Sequence, residues 1–547
     1  MFRKTALSTA VLALTLGLAA CGGSDDAPVA VVPTPIVPVA VGDTIALTAS
    51  GRLISFNRAA PGTLVGSIAV TGLTGTETLL GIDIRPANGA LYALGSAGSI
   101  YRINPATGEA VVSSTLRAAA GDDLPFTALS GTNFGVDFNP VADRLRVVSN
   151  TGQNLRINVE TGDAITDLAI APTSANIAAS GYTNAFPGTT TTRLFNLNLT
   201  TNTVDLQDPP NNGTQVTGAP LGVVVSAVNG FDIDARDNMG YAALTVGTTT
   251  SLYRVNLAAV APANAATVVG AIAGGEQIRG LALTQPGILT VTALGSDNRL
   301  YTFDPRTPNT LATNVAITGL NPGENILGMD VRPADGQLWA LSSTARLYTL
   351  NPTTGAATFR VALSADATDL TAPFTALDSS ATLSVDFNPV PDRMRVITPA
   401  GLNLRINVAT GATITDGSIN RVSGPASVLA AAYTNNFAGT TATQLFNLEG
   451  TNDVLTLQNP PNDGTLTNIG TGLGLDITGA AALDIAGGEN GLVLAAVRVG
   501  TSGAMELRSV NLTTGATALY PTGSTAALSQ IGGVGGPTLR DIAIIRP

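Results

Sequence analysis

From residue 44 onward, apolar and polar positions alternate in short runs, each closed by Gly, Pro, Asn or a Thr-Gly pair. Leu80 to Arg85 is followed by the turn Pro86-Ala-Asn-Gly89, then by Ala90 to Leu94 and Ser99 to Asn104. Pro105-Ala-Thr-Gly108 and Ala110 to Thr115 complete the unit. Period-two alternation bounded by turn residues predicts strands, so the unit reads as a four-stranded meander. The same pattern runs through Phe134–Thr166, Ile177–Leu206 and Phe231–Ile272. Four strands in ~40–50 residues is the pattern of a propeller blade.

The chain also contains itself twice. Gly81-Ile-Asp83-Ile-Arg85-Pro86 recurs as Gly328-Met-Asp330-Val-Arg332-Pro333, and Val136-Asp137-Phe138-Asn139-Pro140 as Val385-Asp386-Phe387-Asn388-Pro389. Tyr182-Thr-Asn184 and Leu206-Gln-Asp-Pro-Pro210 reappear as Tyr433-Thr-Asn435 and Leu457-Gln-Asn-Pro-Pro461. The expected fold is therefore an all-β, internally duplicated β-propeller of four-stranded blades, about five per half. The halves are residues 44–284 and 285–547.

Ring closure supports this reading. Thr44 to Thr71 holds three strands and lacks an inner one, while Ile278–Leu283 and Arg540–Ile545 are orphan strands of the right pattern. Two arrangements follow: two five-bladed rings, each closed by its own terminal strand, or one ten-bladed ring. Only Thr284-Gln-Pro-Gly287 separates Ile278–Leu283 from the next strand, a hairpin-like length that favours the single ring. A transmembrane barrel is disfavoured, because the strands are short of ~10 residues and aromatic girdles are absent. A parallel β-helix needs a shorter repeat.

Composition adds the setting. Charged residues are 12% and aromatic residues 4%, with 60 Gly and 31 Pro, and the net charge is -11. Basic residues do not cluster after position 4, so nucleic acid is an unsuitable partner. There is no histidine, and the single cysteine is Cys21. His-dependent nucleophile systems, His/Cys zinc sites and internal disulfides are thereby excluded. Arg3 and Lys4 precede the apolar run Ala6–Ala20, and Leu18-Ala-Ala-Cys21 resembles a lipoprotein lipobox. Residues 1–20 are expected to be a lipoprotein signal peptide, with Cys21 the lipidation site. Gly22, rather than Asp, after that cysteine implies an outer-membrane destination by the same resemblance. Residues 21–43, with Pro33, Pro35 and Pro38, read as a Pro-rich tether.

The phrases Gly-x-Asp-x-Arg-Pro, Val-Asp-Phe-Asn-Pro-x-x-Asp-Arg-x-Arg-Val, Asn-Leu-Arg-Ile-Asn and Tyr-Thr-Asn together resemble the bacterial family called domain of unknown function 4394, in two copies. The resemblance implies a propeller-like, extracytoplasmic domain and supplies no catalytic residues.

Three constellations are candidates for chemistry. Asp83, Asp137, Asp232, Asp330, Asp386 and Asp484, with Asp541 a seventh, fall at one inner-strand register. They form either an acidic ring able to hold a cation or a set of acceptors for backbone N–H groups at blade junctions. Arg144 and Arg146, with Arg156, and their counterparts Arg393, Arg395 and Arg405, could clamp a carboxylate, or could be held by a salt bridge to Asp143. Tyr182 with Asn184, and Tyr433 with Asn435, offer a sugar platform or a packed strand end. No cofactor is implied. The leading expectation is a non-catalytic binding or scaffold propeller at the cell envelope, anchored in the membrane and contacting a carbohydrate or protein. The alternative is a hydrolase using channel carboxylates, with or without a divalent cation.

Overall fold

The computed structural model describes residues 37–225, 230–284, 289–378, 382–422, 424–486, 490–499 and 505–545. The expected signal peptide, Cys21 and most of the tether lie outside them. Of the tether's last residues, Val39 donates its N–H to Ala106 O (2.9 Å) and Gly42 to Ser55 Oγ (2.6 Å).

The described residues form ten sheets, each an antiparallel meander of four strands. Three of these sheets gain a fifth, short parallel strand. In the first blade, Ile278–Leu283 pairs with Thr44–Thr48, placing Leu283 opposite Thr44, and Arg52–Phe56 and Leu64–Ala69 follow outward. The second, third, fourth and fifth blades begin on the inner strands Leu79–Ile84, Phe134–Asn139, Ile177–Tyr182 and Phe231–Ile233. Each inner strand packs on the next, and Phe231–Ile233 returns to Ile278–Leu283. The second half repeats this, with Leu539–Ile545 pairing with Thr290–Gly295. Its other inner strands are Ile326–Val331, Ser384–Asn388, Val428–Tyr433 and Ile477–Ala486.

The chain therefore forms two five-bladed rings, which overturns the preference for one ring drawn from the short connection. The inner strands approach so closely that a Cβ on Gly230 would lie 2.3 Å from Leu281 N, and one on Gly280 2.9 Å from Ile82 N. Glycine at these positions lets Ile278–Leu283 wedge between the first ring's own inner strands. Ring closure at that strand, rather than a hairpin to Thr290–Gly295, satisfies its edge.

Apolar faces meet between successive blades. Ile45, Leu47 and Leu53 of the first blade pack with Ile82, Leu91, Tyr101 and Ile103 of the second, and equivalent clusters recur around both rings. Leaving each blade, the chain often runs parallel to the outer edge of the next: Thr71 beside Glu109, Arg117–Ala118 beside Asp163–Ala164, Ser364–Ala365 beside Ala412–Thr413. That covers strand edges that would otherwise template aggregation.

Candidate functional site

The inner-strand aspartates gather into two separate clusters, one per ring. Carboxylate oxygens of Asp83, Asp137 and Asp232 lie within 4.8 Å of one another, as do those of Asp330, Asp386 and Asp484. All six are buried. Each reaches toward the next inner strand and accepts its backbone N–H. Asp83 accepts Phe138 N–H (2.7 Å), Asp137 accepts Tyr182 N–H (2.9 Å) and Asp232 accepts Leu283 N–H (2.6 Å). In the second ring Asp330 accepts Phe387 N–H (2.8 Å), Asp386 accepts Tyr433 N–H (3.0 Å) and Asp484 accepts Ile544 N–H (2.5 Å). The second oxygen of Asp83 and of Asp232 takes the N–H of the residue that follows it.

By the same register, Gly181 and Ala282 complete the first ring's layer, and Ala432 and Ala543 the second's. Asp541 is not a member, contrary to expectation. It sits one layer away, accepting Met329 N–H (2.9 Å), and its first-ring counterpart is Gly280. There Gly81, Gly135, Gly230 and Gly280 leave a cavity of about 10 Å³, roughly room for one water.

Burial raises the pKa of Asp83, Asp137, Asp330 and Asp386, and the neighbouring carboxylates push each further the same way. Asp232 is pushed up to about 7, burial again the largest cause. Three carboxyls this close cannot all be ionised without a compensating charge. Chemically, each cluster can share protons or hold a cation.

The arginine constellation is turned inward. Arg146 is 1% exposed and donates to Tyr182 Oη (3.1 Å), Asn154 Oδ1 (2.8 Å), Asp167 Oδ2 (2.6 Å) and Asn211 Oδ1 (2.8 Å). Arg395 repeats this with Tyr433, Asn403, Asp416 and Asn462. Arg156 and Arg405 pair with the same Asp167 and Asp416. Arg144 and Arg393 donate to nearby backbone carbonyls, Arg144 to Asp143 O (2.9 Å) and Arg393 to Asp392 O (3.0 Å). The Asp143 carboxylate pairs with Arg85 instead of Arg144, and Asp392 with Arg332. Tyr182 and Tyr433 are fully buried. Asn184 bonds reciprocally with Asn238, and Asn435 with Asn490. The structure thus brings Asp137, Arg146, Arg156 and Tyr182 into one network, with Arg144 outside it.

A model of the family Domain of unknown function (DUF4394) matches residues 52–282 and again 299–532. The chain belongs to the DUF4394 family. No curated protein matches it in sequence. Among solved structures it is similar to the Dos1 propeller (13% identity over 66% of this chain and 91% of that one, TM-score 0.22). It is also similar to YCF48 bound to D1 peptide (10%, 69% and 91%, 0.23) and to the β-propeller domain of Myceliophteria thermophila Cps50 (Swd1) (12%, 72% and 98%, 0.23). The propeller fold rests on the sheet topology.

Within the two DUF4394 copies, several polar residues escaped the sequence reading. Asp167 and Asp416 stand at the same displacement as Asp137 and Asp386, so their recurrence was a usable signal. Asn211 and Asn462 belong to Pro-Pro-Asn turns that reach back to the preceding blade's arginine. Arg58, buried against Asp234 (2.5 Å) and stacked on Tyr241, has Pro305 as its counterpart and gave no repeat signal.

Proposed function

We propose that this DUF4394 protein is a non-catalytic binding or scaffold propeller, held at the bacterial cell envelope through a lipidated Cys21 and presenting its paired rings to an extracytoplasmic ligand. The observation that carries this reading is the duplicated Arg146 and Arg395 network. Its polar groups, repeated almost atom for atom in both rings, are saturated by the protein's own donors and acceptors. What both copies keep is therefore scaffold, and recognition belongs where the copies differ. The carboxylate clusters support the same reading. At 1–5% exposure, and already accepting backbone N–H groups, they present no face to a sugar ring, and a glycoside needs two carboxyls reachable from opposite sides.

The test is cellular. Metabolic labelling with a fatty-acid analogue is expected to mark the wild type and not Cys21→Ser, with the wild type fractionating in membranes. Crosslinking in intact cells is expected to give a reproducible partner or glycan adduct. Unlabelled, freely soluble wild type would overturn the anchoring. Turnover of a glycoside, lactone or ester panel that is abolished by Asp137→Asn would overturn the non-catalytic assignment.

A further inference from the structure

The two rings carry the same groove at the same place, between the first and second blades, and they treat it differently. In the first ring it holds about 620 Å³ over a floor of Ile84, Leu91 and Ile103. In the second, Leu338 and Leu350 form the corresponding floor and the volume is about 430 Å³. There Arg360 donates to two residues that line it, Thr349 Oγ1 (3.0 Å) and Gln337 Oε1 (2.9 Å). Strand registers pair these three residues with Ser113, Arg102 and Ala90 of the first ring. The bridge is thus dismantled: Ser113 turns to Val159 O (2.9 Å) and Ala90 has no polar group. The cation moves to Arg102, which is exposed and has no hydrogen-bond or ion-pair partner among the described residues.

We propose that this first-ring groove binds an amphipathic monocarboxylate, with Arg102 as the anchor for its carboxylate. The inference rests on the binding reading above and names the ligand class. A guanidinium free of partners offers a bidentate fork to a carboxylate. The volume lies within the range of small-molecule sites, ~300–1,000 Å³. The buried aliphatic floor, continued on one side by exposed Val111 and Val112, suits an apolar body. Exposed Glu109 on the rim repels a second anionic group, which selects one carboxylate over two. The second ring supplies the control, since its groove is smaller and its cation, Arg360, is already tied to Thr349 and Gln337.

The experiment titrates 3-phenylpropionate into the full chain held in lipid nanodiscs, by calorimetry and ligand-observed NMR, with empty nanodiscs as blank and 3-phenylpropanamide as the uncharged control. One molecule is expected to bind per chain, the amide at least tenfold more weakly. Arg102→Thr and Ser113→Arg, which install the residues of the second ring and so fit the fold, are each expected to weaken binding at least tenfold. Absence of saturable binding, or equal affinity in both variants, would overturn the proposal. If the crosslinked adducts seen in cells persist unchanged in both variants, the groove assignment falls while the binding reading stands. If the wild type yields no adduct at all, that reading falls first.

Discussion

Replacing Asp137 and Asp386 by Asn should make the protein more stable in mild alkali and leave it nearly unchanged in acid. Each of these carboxylates accepts a single backbone N–H, from Tyr182 and Tyr433. An Asn keeps that bond through its oxygen and turns its NH₂ toward the neighbouring carboxylates. In the wild type, folding holds the cluster protons more tightly than the unfolded chain does. Stability linked to them is full below about pH 4 and is lost as pH rises through the folded-state values. For Asp232, the rise from 3.8 to about 7 corresponds to ~4 kcal/mol at ~1.4 kcal/mol per pH unit. Asp83, Asp137, Asp330 and Asp386 shift in the same direction. Glu77, Asp234 and Glu324 shift the opposite way, so their contribution is lost only as pH falls below the ordinary carboxylate range. Burial also raises Asp541 and Asp237, so between pH 5 and 8 the clusters and these two groups set the slope together. Urea unfolding followed by circular dichroism at pH 5, 6.5 and 8, with EDTA present, should show wild-type stability falling by several kcal/mol and the double variant falling by less. A flat wild-type profile, or equal destabilisation of the variant at every pH, would refute shared protons. A slope that appears only after chelation would place a cation between the carboxyls.

Other outcomes follow from packing and pairing. Gly135→Ser should cost ~1–3 kcal/mol, because a Cβ there would lie 2.2 Å from Ser180 Oγ. Adding Ser180→Ala should recover most of it, since the second ring already uses Ser384 with Ala431, Ser384 Oγ accepting Ala431 N–H at 2.8 Å; thermal denaturation of the three variants decides this. Arg146→Met should cost ~3 kcal/mol by breaking a buried pair, and Arg395→Met the same, measured by urea unfolding; a neutral effect would contradict a scaffold role. Tyr520→Phe removes the hydroxyl that donates to Gly188 O across the rings (2.8 Å) and should lower stability by ~1 kcal/mol in calorimetry.

The sequence made the strands, blades and duplication legible because period-two alternation and Gly-punctuated turns are local. Ring closure was not legible. Ile278–Leu283 and Leu539–Ile545 carry the same apolar alternation, and either could serve either set of outer strands. Asp541 was misplaced for a related reason. A one-residue slip flips a side chain to the other face, but a two-residue slip keeps the face, so the Asp-Ile pair at 541 mimics that at 83 while sitting a layer away. The face of Arg146 was readable, opposite Asp137 and Arg156 across the strands. That this face meets the next blade's Tyr182 rather than solvent depends on packing between blades.

Divergence between the copies has two sources, and separating them narrows the search for a ligand. The segment after Asn184 docks on the second ring: Ala185 and Phe186 join its core, Thr190 N–H donates to Gly491 O (2.9 Å) and Thr189 Oγ1 to the same oxygen (2.9 Å). Thr440, the counterpart of Thr189, bonds within its own loop to Ala442 O (3.0 Å). The contact is heterologous, so the surfaces that meet need not match between rings. Arg306 donates to Ala87 O (3.3 Å) and Tyr520 to Gly188 O. Their first-ring counterparts by strand register, at Ala59 and Val269, have no such duty. Those differences are accounted for by joining the rings and need no ligand. The exchange of Gln337, Thr349 and Arg360 for Ala90, Arg102 and Ser113 has no share in the inter-ring hydrogen bonds described here. It opens space and frees a charge, and it is there that a binding function has room to act.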